Sequence, residues 1–374
     1  MNFGFTEEQE FLRTTAREFI ENECPMATVR ELMDDPRGYR PELWKKMAEL
    51  GWLGLLIPEE LGGAGLGFVD LVVILEEMGR GLLPSPYFAT LQGTLALLRS
   101  GSEPQRKELL PAVACGDLVL SFAITEEAGS EEPADLELRA QKEGTGYRLT
   151  GTKLFVPHGQ NAGRIVVAAR TGTTGGEAGI SLLLVDPSRG GVEVTPLESM
   201  DQTQRIAEIG FDGAHGELLA GEGEAWRTWE WVRDRALVAL SAESVGGSEK
   251  VLEDSVAYAK ERIQFGKPIG VHQAIKHKCA DMLIEVESSK SITYYAAWAA
   301  AEDLDEAALA AAMAKAYTSD AYRHCSAENI QIHGGVGFTW EYDCHLYFKR
   351  AKAVEVTYGD PTSHRERIAQ LLEV

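Results

Sequence analysis

Arg235-Ala-Leu-Val-Ala-Leu-Ser-Ala-Glu243-Ser-Val-Gly246-Gly247, followed by Glu261-Arg262-Ile263-Gln264-Phe265-Gly266-Lys267-Pro268-Ile269-Gly270, anchors the C-terminal part of the sequence. Its first part is a long helical pattern of small and apolar residues with one carboxylate among them. Positions three and four away from Glu243 are Ala239, Leu240, Gly246 and Gly247, which share its helix face and offer it no charge partner. Helical patterning then holds to the C-terminus, over roughly 226–262, 268–300, 305–330 and 361–372. The run Glu306-Ala-Ala-Leu-Ala-Ala-Ala-Met313 combines high helix propensity with side chains small enough for close packing.

The N-terminal hundred residues are also mostly helical in pattern. Thr6 and Gln9 form a capping-box signature ahead of a stripe of Phe11, Leu12, Ala16, Phe19 and Ile20. Pro41 suits a first helical position, and that helix ends near Gly51. The glycine run in Ile57-Pro-Glu-Glu-Leu-Gly-Gly-Ala-Gly65 follows no strand, so it reads as a connection and not a phosphate cradle. Near Gly116-Asp117 the period becomes alternating. Leu118–Ile124, Tyr147–Val156, Arg164–Ala169, Ile180–Val185 and Val192–Pro196 read as strands, parted by turns such as Glu143–Gly146 and Thr171–Gly176. No long helix interrupts them, which disfavours a parallel Rossmann sheet and favours an antiparallel barrel or sandwich. The expected fold class is α+β, mostly α: a helical N-terminal domain (1–117), a central β domain (118–222) and a C-terminal four-helix bundle (223–374).

Composition sets limits. The 374 residues are 44% hydrophobic, enough for two or three cooperating domains with sizeable cores. A net charge of -22 excludes a nucleic-acid surface, which needs clustered Lys and Arg. Cys24, Cys115, Cys279, Cys325 and Cys344 are scattered, with neither metal-ligand spacing nor a disulfide framework, so the expectation is reduced thiols and no metal. The N-terminus lacks a basic region followed by an apolar run and no segment reaches membrane-span length, so the expectation is a cytoplasmic protein without membrane partners.

Several stretches together are similar to one family. Pro58–Gly65, Phe122-Ala-Ile-Thr125-Glu126 with Ala128-Gly-Ser130, Arg262-Ile-Gln-Phe265-Gly266, Gln273, Ala280-Asp-Met282 and Gln331-Ile-His-Gly334-Gly335-Val-Gly337 resemble, in order, the motifs of acyl-CoA dehydrogenases. The resemblance spans nearly the whole chain. It implies a tetrameric FAD enzyme that desaturates an acyl-CoA thioester, with the FAD between the β domain and the C-terminal bundle, and that passes electrons to an electron-transferring flavoprotein. By position, Phe122, Ile124 and Thr125 resemble the strand facing the flavin ring, Gly129 and Ser130 the groups near the phosphates and CoA chain, and Phe155 the aromatic that flanks the flavin. Arg262, Phe265, Gln273, Gln331, Gly334 and Gly335 resemble residues that reach a neighbouring subunit's FAD. Read on its own, Arg262 would be a cation at a helix C-terminus.

The chemistry needs a base for the proton beside the thioester carbonyl, donors for the enolate oxygen, and a flavin to take the hydride. Many members place a Glu in a C-terminal segment that here reads Val356-Thr357-Tyr358-Gly359-Asp360, with Tyr358 at the Glu position, so the chain resembles a bacterial subgroup lacking that residue. A base position used early on the long helix by other members aligns with Ala236. Glu243 lies two turns later, about 10 Å along the axis, and resembles the Ala-Ala-Glu of bacterial members acting on bulky esters, including sterol side chains. A Glu in an apolar pocket is a stronger base through desolvation. Glu243 is therefore the candidate catalytic base; its plainer meaning is a core carboxylate satisfied by a basic or backbone partner.

Two further departures bear on the pocket. Pro157 stands where the family often has a Thr touching the flavin, and the Arg expected beside the early base position appears at Arg235 or Arg233. His333 reads as a packing residue, and Trp226, Trp229 and Trp231 as core. Lys276-His-Lys278 and Lys349-Arg350-Ala-Lys352 read as solvated helix faces, and Glu249 and Glu253 as exposed. The leading expectation is an FAD-dependent dehydrogenase for a bulky or branched acyl-CoA, working as a homo- or heterotetramer in fatty acid or sterol side-chain degradation. The alternatives are a non-catalytic supporting subunit of a heterotetramer, or a flavin oxidase or monooxygenase on the same fold.

Overall fold

The computed structural model describes residues 5–172 and 176–374; residues 173–175 of the expected Thr171–Gly176 turn lie outside the described residues. The first helices are α1 (Glu7–Glu23), α2 (Met26–Met33), α3 (Pro41–Glu49), α4 (Phe68–Arg80), α5 (Tyr87–Ser100) and α6 (Glu103–Ala114). The capping box starts α1: Gln9 N donates to Thr6 Oγ1 at 3.2 Å, and Thr6 N donates to Gln9 Oε1 at 3.1 Å. Ala16 and Ile20 of its stripe are buried, but Phe11 is 74% exposed and does not belong to the core face. The glycine run is a connection, as its spacing suggested. Gly63, Ala64 and Gly65 spend their N–H groups on Pro58, Gly54 and Ile57 carbonyls.

The strands are β1 (Leu120–Ala123), β2 (Arg139–Glu143), β3 (Gly146–Pro157), β4 (Arg164–Arg170), β5 (Ile180–Val185), β6 (Val192–Leu197) and β7 (Ile206–Ala220). Because β4 pairs with β2 and β5, and β3 and β7 join the other two, the path β4-β2-β3-β7-β5 returns on itself as a barrel-like ring. Most pairs are antiparallel; β1 and β2 lie parallel to β4. Two strands were absent from the sequence reading, β2 and the 15-residue β7. β7 pairs with β3, β5 and β6, so it is the hub of the sheet. Its alternation of Ala207, Ile209 and Phe211 is broken by glycines, which hid the period.

After the sheet come α7 (Ala225–Glu261), the hairpin β8 (Ile263–Gln264) and β9 (Lys267–Pro268), α8 (Gln273–Ala301), α9 (Ala307–His333), α10 (Cys344–Val356) and α11 (Pro361–Leu371). The helix expected from 268 begins at Gln273, because the hairpin and a single 3-10 turn (Ile269–Val271) take the intervening residues. α10 is a helix the sequence reading missed, so five helices and not four follow the sheet.

The chain divides into two compact units. One takes the N-terminal residues through Glu31, Phe68–Leu83 and Leu237–Val374; the other takes Leu32–Gly67 and Pro84–Ala236. In the first, α4 and α7 touch backbone to backbone. A Cβ on Gly79 would fall 2.1 Å from Glu243 O, and one on Gly246 would fall 1.8 Å from Glu76 O. Across the same unit Glu76 receives Arg13 Nη2 at 3.1 Å and the Tyr294 hydroxyl at 3.0 Å, tying α1, α4 and α8 together. In the second unit Leu138, Leu149, Val156, Ile165, Leu183, Ile209 and Phe211 fill the interior of the ring. All five cysteines are free thiols, and among the described residues no helix is long and apolar enough to cross a membrane.

Candidate active site

β1 delivers the first group of candidate residues. All four of its residues are buried, and Phe122 lies 5.1 Å, ring to ring, from Trp229. Ile124 is buried too; the chain then leaves the ladder, and Thr125 is half-buried, its hydroxyl donating to Glu131 Oε1 at 2.9 Å. Opposite, the β3–β7 register shifts between Lys153 and Val156, and in the gap Leu154 N donates to Thr125 O at 2.9 Å. The next residue, Phe155, has φ +54 and is 53% exposed. A β-region strand residue would alternate in or out; the bulge and the left-handed φ re-aim this ring outward, at a cost in strain typical of functional sites. Gly129, at φ +67, has no heavy atom within 4 Å of where a Cβ would stand. Ser130 Oγ accepts from Glu132 N at 3.0 Å. An outward aromatic face beside an open glycine loop fits a flat ring carrying phosphates, as FAD does. The Pro157 carbonyl accepts from Ser121 Oγ at 2.6 Å.

A buried ion pair underlies this corner. Lys153, with no exposed surface, donates to Glu126 Oε1 at 2.6 Å and to Ile124 O at 2.8 Å. Burial lowers the Lys153 ammonium to about 8, with Glu126 acting in the opposite direction. Sequence reading passed over this pair. The signal was present, since Leu149, Gly151 and Lys153 share one phase of β3, which turns a charge inward.

The second group sits on the helical unit. Phe265 and Gly266 form the two-residue tip of the β8–β9 hairpin, both at positive φ (+53 and +77), and Phe265 is 97% exposed. Such a tip matches strand twist, although a non-glycine first residue is uncommon there. Arg262 and Gln273 flank the hairpin and are exposed. Tyr258, one turn before Arg262, stacks on His333 at 4.1 Å, and so brings the end of α7 beside Gln331, Gly334 and Gly335. Those three are exposed, and neither glycine has an atom near a would-be Cβ. His333 is buried and its Nδ1 bonds to Asn329 O at 2.8 Å, a packing role as expected.

Glu243 is buried, and it has a basic partner from another helix: Arg350 Nη1 of α10 stands 3.4 Å from Oε2. The solvated-face reading therefore fails for Arg350, which is 3% exposed; it falls on the apolar side of α10 with Leu346, Tyr347 and Val354. The exposed-face reading also fails for Glu249, which meets Lys290 at 2.6 Å, Arg80 at 3.6 Å and Arg17 at 3.9 Å. Arg235, by contrast, lies over the Trp231 ring at 3.6 Å, while Trp226 and Trp229 are core. Tyr358, at the position where many acyl-CoA dehydrogenases carry Glu, is buried at φ +56 and followed by Gly359 at φ +99. A buried lysine clamps that turn. Lys315 Nζ donates to Ser319 Oγ, Glu355 O and Gly359 O, each at 3.1 Å, and burial lowers its ammonium to about 7.

The chain matches the acyl-CoA dehydrogenase N-terminal domain over residues 6–117, the middle domain over 121–214 and the C-terminal domain over 226–372. It is 31% identical over 366 residues to acyl-CoA dehydrogenase IpdE2 of Mycolicibacterium smegmatis, covering 97% of this chain and 98% of that protein. It is 29% identical over 367 residues to the caffeyl-CoA reductase-Etf complex subunit CarC of Acetobacterium woodii, covering 95% of each. A solved structure of a variant of the Tcur3481-Tcur3483 steroid ACAD superposes with a TM-score of 0.89 at 31% identity, over 98% of each chain.

Proposed function

The chain belongs to the acyl-CoA dehydrogenase family, and from that premise we propose that it is an FAD-dependent dehydrogenase desaturating a bulky or branched acyl-CoA. The observation that carries the reading is Phe155, an outward aromatic ring held at left-handed φ beside Thr125 and the open Gly129 loop. FAD, when bound there, supplies the hydride acceptor. The chain's own residues position it: Phe155 offers a ring face, the Gly129–Ser130 loop offers unshielded backbone, and the exposed Arg262, Phe265, Gln273, Gln331, Gly334 and Gly335 reach a neighbour's cofactor. We take 1–117, 118–222 and 223–374 as the three domains of one subunit of a homo- or heterotetramer. The bulky-substrate assignment draws on the steroid enzyme among the similar structures. An electron-transferring flavoprotein as acceptor is supported by the Etf-complex relative.

Glu243 is the proposed base, taking the proton beside the thioester carbonyl. Its buried pairing with Arg350 favours a second reading, in which the carboxylate is structural and the chain is a supporting subunit. Anaerobic flavin bleaching against CoA thioesters from short straight chains to sterol-like acids separates the two. In the first reading the purified protein is yellow and bulky esters bleach it, whereas Glu243→Gln keeps FAD and ligand but hardly bleaches. In the second, no ester bleaches the parent protein. Rapid reoxidation of the reduced protein by oxygen would instead identify an oxidase.

A further inference from the structure

Three segments meet at the Lys153–Glu126 pair, and each of them shapes the corner where Thr125 and Phe155 stand. Lys153 Nζ fixes the carbonyl of Ile124, and the next residue's amide, Leu154 N, fixes the carbonyl of Thr125. The Glu126 carboxylate, 2.6 Å from that ammonium, accepts from Glu137 N at 2.6 Å and from Leu138 N at 3.2 Å, which anchors the approach to β2. The register shift that turns Phe155 outward begins at Lys153 itself.

A buried ion pair is a poor way to gain stability, because desolvation consumes most of the attraction and apolar residues can fill the same volume. Its distinctive property is direction: an ammonium with two fixed oxygen acceptors and a carboxylate with two fixed amide donors admit one arrangement of the three segments. Resting on the flavoenzyme reading above, we infer that Lys153 and Glu126 are a positioning pair that holds Thr125 and Phe155 in the geometry FAD requires. Neither side chain need touch the cofactor. The pair acts through the Ile124–Thr125 backbone on one side and the Leu154–Phe155 bulge on the other.

The test compares the parent protein with Glu126→Gln, Lys153→Met and Lys153→Arg, each stripped of FAD, melted, and titrated with FAD by quenching of flavin fluorescence well below its own Tm. The expected result is FAD affinity about tenfold weaker or more in Glu126→Gln and Lys153→Met, as for loss of a charge-assisted hydrogen bond, with a displaced visible flavin band in the bound form. Lys153→Arg, which keeps charge and donors, recovers part of both. Should Lys153→Met fail to fold, the near-isosteric Glu126→Gln decides. Variants that melt earlier yet bind FAD with the parent's affinity and spectrum overturn the positioning role while leaving the flavoenzyme reading intact. A parent protein that binds no FAD overturns both.

Discussion

At the scale of single residues, burial of charge is the feature with the most consequences. Lys315 donates to three neutral oxygens, and burial lowers its ammonium from 10.5 to about 7, with Glu355 and Asp360 acting in the opposite direction. Between those values the unfolded chain binds a proton that the folded chain has released, so folding gains stability as pH rises through this window. One proton contributes at most about 1.4 kcal/mol per pH unit. Lys315→Met is expected to flatten the stability profile between pH 7 and 10 relative to the parent, read from urea titrations across that range. Glu243 and Arg350 give a second test. Arg350→Met removes the cation paired with Glu243 in the core and should cost on the order of 3–5 kcal/mol; combined with Glu243→Leu, much of that loss should return, which denaturation of the four proteins in a double-mutant cycle would show. The sequence pattern marks Glu243 as inward-facing but reads Arg350 as solvated. Arg350 sits among Leu346, Tyr347 and Val354 on a helix whose basic neighbours, Lys349 and Lys352, made the cluster look like solvent.

At the scale of elements, the crossing of α4 and α7 depends on two residues without side chains. Gly246→Ala would set a Cβ against Glu76 O at 1.8 Å, a backbone atom that cannot rotate away. The expected loss is at least about 3 kcal/mol, the upper end of ordinary overpacking, measured as a lowered urea midpoint with unchanged m-value. Gly221→Ala, where nothing lies within 4 Å, serves as the contrast. Elements with a clean period were legible in the sequence: the capping box of α1, Pro41 at the start of α3, Ile180–Val185 as β5, and the long α7. β7 and the hairpin were not, for a physical reason. Glycines at Gly210, Gly213 and Gly216 remove the side chains that would mark alternation, and the hairpin's two-residue strands are too short to carry a period. What specifies them is pairing with β3 and turn geometry at Phe265-Gly266, both tertiary or conformational facts.

At the scale of the whole molecule, a chain of net charge -22 still exposes Ile263, Phe265, Val271, Leu283 and Ile284 along the hairpin and the first half of α8. Several large apolar side chains exposed within this one stretch point to an interaction surface. Phe265→Asp should leave the fold of the isolated chain intact, because the ring touches so little of it, while reducing the mass measured by light scattering and the FAD retained through gel filtration. The order of domains and the family were legible because motifs spread over all three segments occur in the right sequence. What the pattern around Glu243 does not carry is its partner, because Arg350 arrives from another helix. The exposed tip at Phe265 bears on abundance as well. If each cofactor is secured by a neighbour's hairpin, turnover per chain is a property of protein concentration: on dilution below the assembly constant it should decay over minutes as FAD escapes, and on reconcentration with FAD it should return, whereas a site complete within one chain would ignore dilution altogether.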